Sequence, residues 1–407
     1  MFADNRKISC FLFLVFLILC FFTSVCRAAV LPSVITEETT RKIESEPKQS
    51  WLKSFEQERQ EFEQKYGTSF SFLFHSDQQL ILSAKNNKGK GAGLYYWDLE
   101  VIQKPWPGGS LAVEFEVDRG KGADKFIPSF SVFNDNSGDN IDLYVPELYF
   151  EQDFIRERGF LAAGKLDLSD WFDDSAVAAC GDTQFLSNAL INNIAIPFPS
   201  KGLGAMLNFK PCAWLYFQAG AATARSVATR AGLRDGFNSA FFIGEFGLTP
   251  VFAGLAGNYR FIFHHTHRPL DLIDESGTKK DIRGFSLSFD QALTGRITLF
   301  VRYGFQNSKV MAIEHFWSAG AQLNEPFAGR KDDFLGLAVA QSITGKDYRD
   351  YYAPDVTSAE TIWELYYSYD LNHVIILTPH IQVMANPEAD RNASTAVVAG
   401  VRILCSF

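Results

Sequence analysis

AVVAGVRILCSF, residues 396–407, is a run in which side chains sort by a period of two. Extended backbone points successive side chains to opposite faces. Val397, Ala399, Val401, Ile403, Cys405 and Phe407 therefore share one apolar face, and Val398, Gly400, Arg402, Leu404 and Ser406 share the other. A strand that is wholly apolar on one side and carries an arginine on the other divides an apolar medium from a polar one.

The same alternation recurs along the chain. In ITLFVRYGFQ (297–306), Ile297, Leu299, Val301, Tyr303 and Phe305 oppose Arg296, Thr298, Phe300, Arg302, Gly304 and Gln306. In SLAVEFEVD (110–118), Leu111, Val113, Phe115 and Val117 oppose Glu114, Glu116 and Asp118. In TIWELYYSYDL (361–371), Trp363, Leu365, Tyr367 and Tyr369 oppose Glu364, Tyr366, Ser368 and Asp370. Further segments read at 94–103, 146–154, 159–167, 205–221, 241–248, 255–263, 283–293, 333–342 and 374–385. Their lengths cluster near ten residues, enough for a tilted strand to cross a bilayer. A soluble sandwich also alternates, but its strands are commonly about 5–6 residues, and here aromatics gather at the strand ends, as in interfacial girdles.

Composition agrees. Of 407 residues 14% are aromatic, with 38 Phe, while mean hydropathy stays near zero. Residues 1–28 carry Arg6 and Lys7, an apolar run from 8 to 22, and small residues Cys26 and Ala28, the pattern of a cleaved secretory signal peptide. Removing Arg6, Lys7, Arg27 and Asp4 with it takes the net charge from −9 to −11. Such an acidic chain is unsuited to nucleic acid, which calls for clustered Lys and Arg.

Residues 29–66 form a polar leader in which Trp51, Phe55, Phe62 and Tyr66 make a helical stripe ending before Gly67. A short amphipathic helix is expected there, followed by an all-β domain over 67–407. Export permits a Cys180–Cys212 disulfide, and two loop cysteines that never meet fit the sequence equally. HHTH (264–267) puts His265 and His267 on one face without an evident third metal ligand; a solvated rim is the expectation.

KLDLSDWFDDSAVAACGDTQFLSNALINNIAIPFPSKGLGAMLNF (165–209), with PWPGG (105–109), ELYFEQ (147–152), FFIGEFGL (241–248) and the terminal NPEADRNASTAVVAGVRILCSF, resembles the carbohydrate-selective porin family named after outer-membrane porin B. The resemblance covers most of the chain from about residue 90. It implies a transmembrane antiparallel β-barrel of sixteen strands in the bacterial outer membrane, passing sugars and other small hydrophilic solutes by diffusion. It also implies that Phe407 belongs to the end signal read by the barrel-assembly machinery. Outer-membrane lipid and a homotrimeric arrangement are further expected partners.

A porin needs no cofactor; selectivity comes from pore width and lining groups. Alternation nominates Glu147, Glu151 and Asp153 on one segment, Lys165 and Asp167 on the next, and Arg260, Arg302 and Arg402 on later strands. The long connection 168–200 is a candidate constriction. Its Trp171 and Asp173 suit a sugar ring and its hydroxyls, with Gln184 and Asn188 as further polar contacts. The acidic balance also fits a channel for cationic solutes such as arginine. A barrel enzyme is a remoter reading, because histidine is scarce outside the 264–267 cluster and no nucleophile motif is present; a structural barrel that anchors the envelope through the 51–66 helix is another.

Overall fold

The computed structural model describes residues 50–138, 140–155, 158–225 and 239–407. The expected signal peptide (1–28) and the leader up to residue 49 lie outside the described residues. The chain divides into two units, Met1–Glu61 and Phe62–Phe407. In the first unit, residues 50–61 belong to helix α1, Ser50–Tyr66, with Arg59 paired to Glu56 at 2.8 Å. At its end Gly67 takes φ +66° and its N–H closes on the Glu63 carbonyl at 2.8 Å, a glycine stop.

The second unit is a closed antiparallel barrel of sixteen strands. In chain order these are β1 (Thr68–Ser83), β2 (Gly91–Trp106), β3 (Gly109–Lys121), β4 (Leu148–Phe154), β5 (Gly159–Leu166), β6 (Gly202–Cys212), β7 (Leu215–Thr223) and β8 (Ala240–Leu248). There follow β9 (Leu255–Thr266), β10 (Ile282–Ala292), β11 (Ile297–Phe305), β12 (Ile313–Asn324), β13 (Phe334–Thr344), β14 (Ala359–Asp370), β15 (Ile375–Ala385) and β16 (Ala396–Ser406). Each pairs with its sequence neighbours, and β16 pairs with β1, with Arg402 opposite Asp77 and Ala399 opposite Leu80. Phe407 extends this seam: its N–H donates to the Phe72 carbonyl (2.9 Å) and its carbonyl accepts from Phe72 (3.2 Å). Closure removes the bare edge that neither lipid nor water-poor interface tolerates.

On β16, Ala396, Val398, Arg402 and Leu404 are buried, whereas Val401 is 37% exposed. The arginine face therefore points inward and the apolar face outward, as the alternation requires. The outward set continues around the wall in Leu111, Leu161, Leu207, Phe261, Leu337 and Ile381. Connections alternate in length. Tight turns such as 107–108 and 213–214 mark one end; connections such as 122–147 and 167–201 mark the other.

Two departures from the sequence reading have physical causes. The segment 205–221 is a hairpin of β6 and β7, not one strand. Its turn, Ala213–Trp214, lacks a glycine or asparagine signal and is held from the next hairpin, where Thr249 N–H and Oγ1 donate to the Trp214 and Ala213 carbonyls at 2.8 and 3.1 Å. Strands β1 and β12 escape the pattern because Ser76 and Gln78 interrupt the outer face of β1, and Ala319 and Ala321 weaken that of β12. Cys180, Cys212 and Cys405 are all free thiols, so no Cys180–Cys212 bridge forms.

The inner wall is not uniformly polar. Phe133, Val177, Phe185, Leu190 and Ile191 from the two long connections pack on Ile81, Phe300, Phe316, Ile362, Tyr366 and Val398 of the wall. Leu168, Phe172 and Ile196 pack on Ala162, Met206, Phe241, Ile243 and Ile262. Each large side chain so buried contributes about 1.5–3 kcal/mol, which draws both connections into the barrel. Outside, the medium reverses the preference. Val401→Arg, on the outer face of β16, should lose about 2–4 kcal/mol in lipid, measurable by denaturant unfolding from vesicles; an unchanged midpoint would contradict its lipid-facing placement.

Candidate functional site

The connection 167–201 is gripped by charges on the wall. Asp167 opens it, accepting the Ser169 N–H at 3.0 Å. Arg302 on β11, 1% exposed, contacts Asp173 through Nε (3.0 Å to Oδ2) and donates to the carbonyls of Asp173 (3.1 Å), Ala178 (2.6 Å) and Leu190 (3.1 Å). Asp173 takes φ +62°, a conformation costing a non-glycine residue about 1–3 kcal/mol. There its N–H reaches Glu245 of β8 at 2.9 Å while its carboxylate also accepts from Asn193 N–H at 3.1 Å.

Further along, Glu364 on β14 accepts the N–H groups of Leu186 and Ser187 at 2.7 and 3.0 Å. Glu360 does the same for Phe130 and Ser131 of the 122–147 connection, at 3.0 and 2.7 Å. Arg402 donates to the carbonyls of Gly181 and Gln184, the latter at 2.7 Å. His75 of β1 lies 2.8 Å from Asp77 and 3.0 Å from Asp182, and Tyr96 stacks on its ring at 4.7 Å and bonds Asp182 through its hydroxyl. Burial by itself would raise the Asp182 carboxyl, but the His75 contact and the Tyr96 hydroxyl hold it below the usual carboxylate range.

Inner-face charges that keep access to solvent gather instead on β2–β4. Asp98, Glu114 and Glu116 bring carboxylate oxygens within 4.8 Å of one another. Lys201, at the end of the folded-in connection, sits 3.6 Å from Glu114 and 3.8 Å from both Glu116 and Glu147. Burial disfavours its charge, yet these carboxylates raise the ammonium above its ordinary value. Toward the short-turn end a cavity of about 340 Å³ opens beside Trp171. Phe160, Tyr216, Asn208, Gln218, Arg260 and Asp174 are among its lining residues. Trp171 is propped edge-on by Tyr149 at 5.5 Å, Asn208 donates to Gln218 at 2.9 Å, and Arg260 pairs with Asp290 at 2.9 Å.

Of the residues that sequence nominates, Trp171 and Arg260 meet in this cavity, and Glu147 joins the Lys201 cluster. Glu151 is half-buried on β4 and Asp153 is exposed at its turn end. Arg302, Arg402 and Asp173 point inward but are covered, holding the connection rather than facing the channel. Gln184 serves the connection itself, accepting from Ala179 N–H at 2.6 Å and donating to the Ala176 carbonyl at 3.1 Å. Asn188 begins the short helix α2, Asn188–Ile191, and accepts from Asn192 N–H at 2.8 Å. Lys165 is placed on the face of Leu161, opposite the buried Ala162 and Leu166, and its ammonium turns to the Val145 carbonyl at 2.6 Å. Sequence reasoning passes over Lys201, which precedes β6 and carries no periodic signal; Asp98, Glu114 and Glu116 do alternate inward and were legible.

Residues 94–407 match the carbohydrate-selective porin, OprB family. The chain belongs to that family. Its fold is similar to that of Pseudomonas putida OprB at high pH (TM-score 0.76, 16% identity, 86% of this chain and 96% of that one). It is also similar to the outer membrane channel DcaP of Acinetobacter baumannii (TM-score 0.51, 11% identity, 84% and 97%). Among curated proteins it is 27% identical over 229 residues to porin AaxA of Chlamydia abortus, covering 54% of this chain and 47% of that one. The Chlamydia felis porin AaxA is 24% identical over 267 residues, 63% and 56%. The chain thus spans about half the length of these relatives. Family and barrel place this member in the bacterial outer membrane.

Arg302→Ala in this porin would leave Asp173 buried without its partner, a loss of about 3–5 kcal/mol. The expected result is a freed 173–190 stretch and a larger single-channel conductance; unaltered conductance would show that other contacts suffice to hold it.

Proposed function

We propose that the chain is a passive channel for carbohydrates and other small hydrophilic solutes. The observation that carries this reading is the cavity beside Trp171. An indole face suits the apolar C–H face of a sugar ring. Asp174, Asn208, Gln218 and Arg260, which line the same cavity, are acceptors and donors suited to hydroxyls. A volume of about 340 Å³ is at the small end of ligand sites. Contacts that are individually weak and spread along the path let a solute both load and leave, the condition for conduction.

No bond is made or broken in this account. The connection 167–201 fills part of the barrel and leaves a path along β2–β7, lined first by the Asp98–Glu116–Glu147 cluster with Lys201 and then by the Trp171 cavity. Glu147, Glu151, Asp153 and Arg260 act as lining groups, while Asp173, Gln184, Asn188, Arg302 and Arg402 set the bore indirectly. That acidic cluster also favours a second reading, permeation by cationic solutes such as arginine, because carboxylates facing a narrow lumen concentrate cations. Lipid around the apolar belt, the barrel-assembly machinery reading Phe407, and two further copies in a trimer complete the proposed partners.

Planar-bilayer recordings with added sugars and added arginine test the reading. Sugars should reduce the current, and Trp171→Ala should weaken that block about tenfold, roughly the 1–2 kcal/mol of one aromatic contact. Block by arginine alone would favour the second reading, and the absence of any channel would end both.

A further inference from the structure

His265 and His267 stand two residues apart where β9 ends, so the strand's alternation turns both to one side. Asp281, the residue before β10, returns to the same point, with φ +59°. Its Oδ1 lies 3.1 Å from His265 Nε2 and 2.8 Å from His267 Nδ1. All three side chains are accessible, at 32%, 42% and 53% exposure. Phe242 of β8 stacks on the His265 ring at 6.1 Å and 21°, fixing its plane. His75, His264 and His380 are buried inside the barrel and take no part. The third ligand that the HHTH motif lacks in sequence is thus supplied by the far end of the connection.

We propose that His265, His267 and Asp281 bind a divalent first-row transition-metal ion, zinc above all, at the long-loop rim. Two imidazole nitrogens and one carboxylate oxygen are a ligand set that zinc accepts, with water completing the tetrahedron. Bonds of about 2.0–2.2 Å put neighbouring tetrahedral donors roughly 3.3 Å apart. The two nitrogen–oxygen separations are already near that spacing. The nitrogens themselves stand farther apart than a bound ion would hold them. A bound ion would have to draw the accessible His267 side chain toward His265, whose ring stacks on Phe242.

The hydrogen bonds to Asp281 need a proton on each facing nitrogen, and the metal takes their place. The metal can take a facing nitrogen only once that proton has moved to the other ring nitrogen or left, so binding weakens in acid. Lys279, Lys280 and Arg283 lie close in sequence and oppose a cation, so the site should select strong nitrogen-binding ions over calcium or magnesium. A bound ion would tie the connection 267–281 to the end of β9.

The test is a titration of untagged, detergent-purified full-length protein with zinc against a chromogenic chelator. One equivalent should bind, and it should be lost in His265→Ala, His267→Ala and Asp281→Asn but kept in His373→Ala, which alters an exposed histidine elsewhere. Copper(II) electron paramagnetic resonance should show coupling to two nitrogens, falling to one in each single histidine variant. No zinc bound by the wild-type protein, or full binding by the His265→Ala/His267→Ala double variant, would overturn the proposal.

Discussion

The Arg302–Asp173 pair is the constraint on which the interior arrangement turns. A guanidinium carried on the wall is withdrawn from bulk water, and a carboxylate and several carbonyls from the folded-in connection compensate it. Charged hydrogen bonds in a place of low dielectric are costly to leave unmade. The wall therefore specifies where residues 173–190 lie, and those residues decide how much of the lumen stays open.

Around this pair the barrel uses one device repeatedly. Inward-pointing carboxylates such as Glu245, Glu360 and Glu364 receive backbone N–H groups that no sheet or helix satisfies. Inward-pointing arginines receive the carbonyls. An irregular connection buried inside a protein must have its backbone groups paired, and the polar inner face supplies those partners. Apolar patches on the same face, around Phe300 and Phe241, provide the burial that makes insertion favourable. The inward charges that keep access to solvent gather around Lys201, between Glu114, Glu116 and Glu147.

The wall was legible from sequence because each outward side chain must be apolar and each inward one is free to be polar. Val401 and Arg402 show the rule at its clearest. It failed where contrast between faces was weak, as at Ala319 and Ala321, or where a hairpin turned without breaking phase, as at Trp214. The role of an inward charge was less legible. Alternation places Arg260 and Arg302 alike, but Arg260 borders the open cavity while Arg302 is covered by a connection 129 residues earlier in the chain. Only the tertiary path of that connection separates a lining residue from an anchoring one. Trp171 was visible because an aromatic beside acidic residues in a long connection is unusual; Lys201 had no such mark.

The placement of the connection against the wall is tested most directly by thiol protection. In protein expressed without residues 1–28, which carry Cys10, Cys20 and Cys26, the remaining Cys180, Cys212 and Cys405 would be replaced by serine or alanine, and a single cysteine put at Ser187, which is fully buried against β14. A water-soluble maleimide should leave this cysteine unreacted in the folded barrel and label it on unfolding. Rapid labelling in the folded protein, with the barrel intact, would contradict the account.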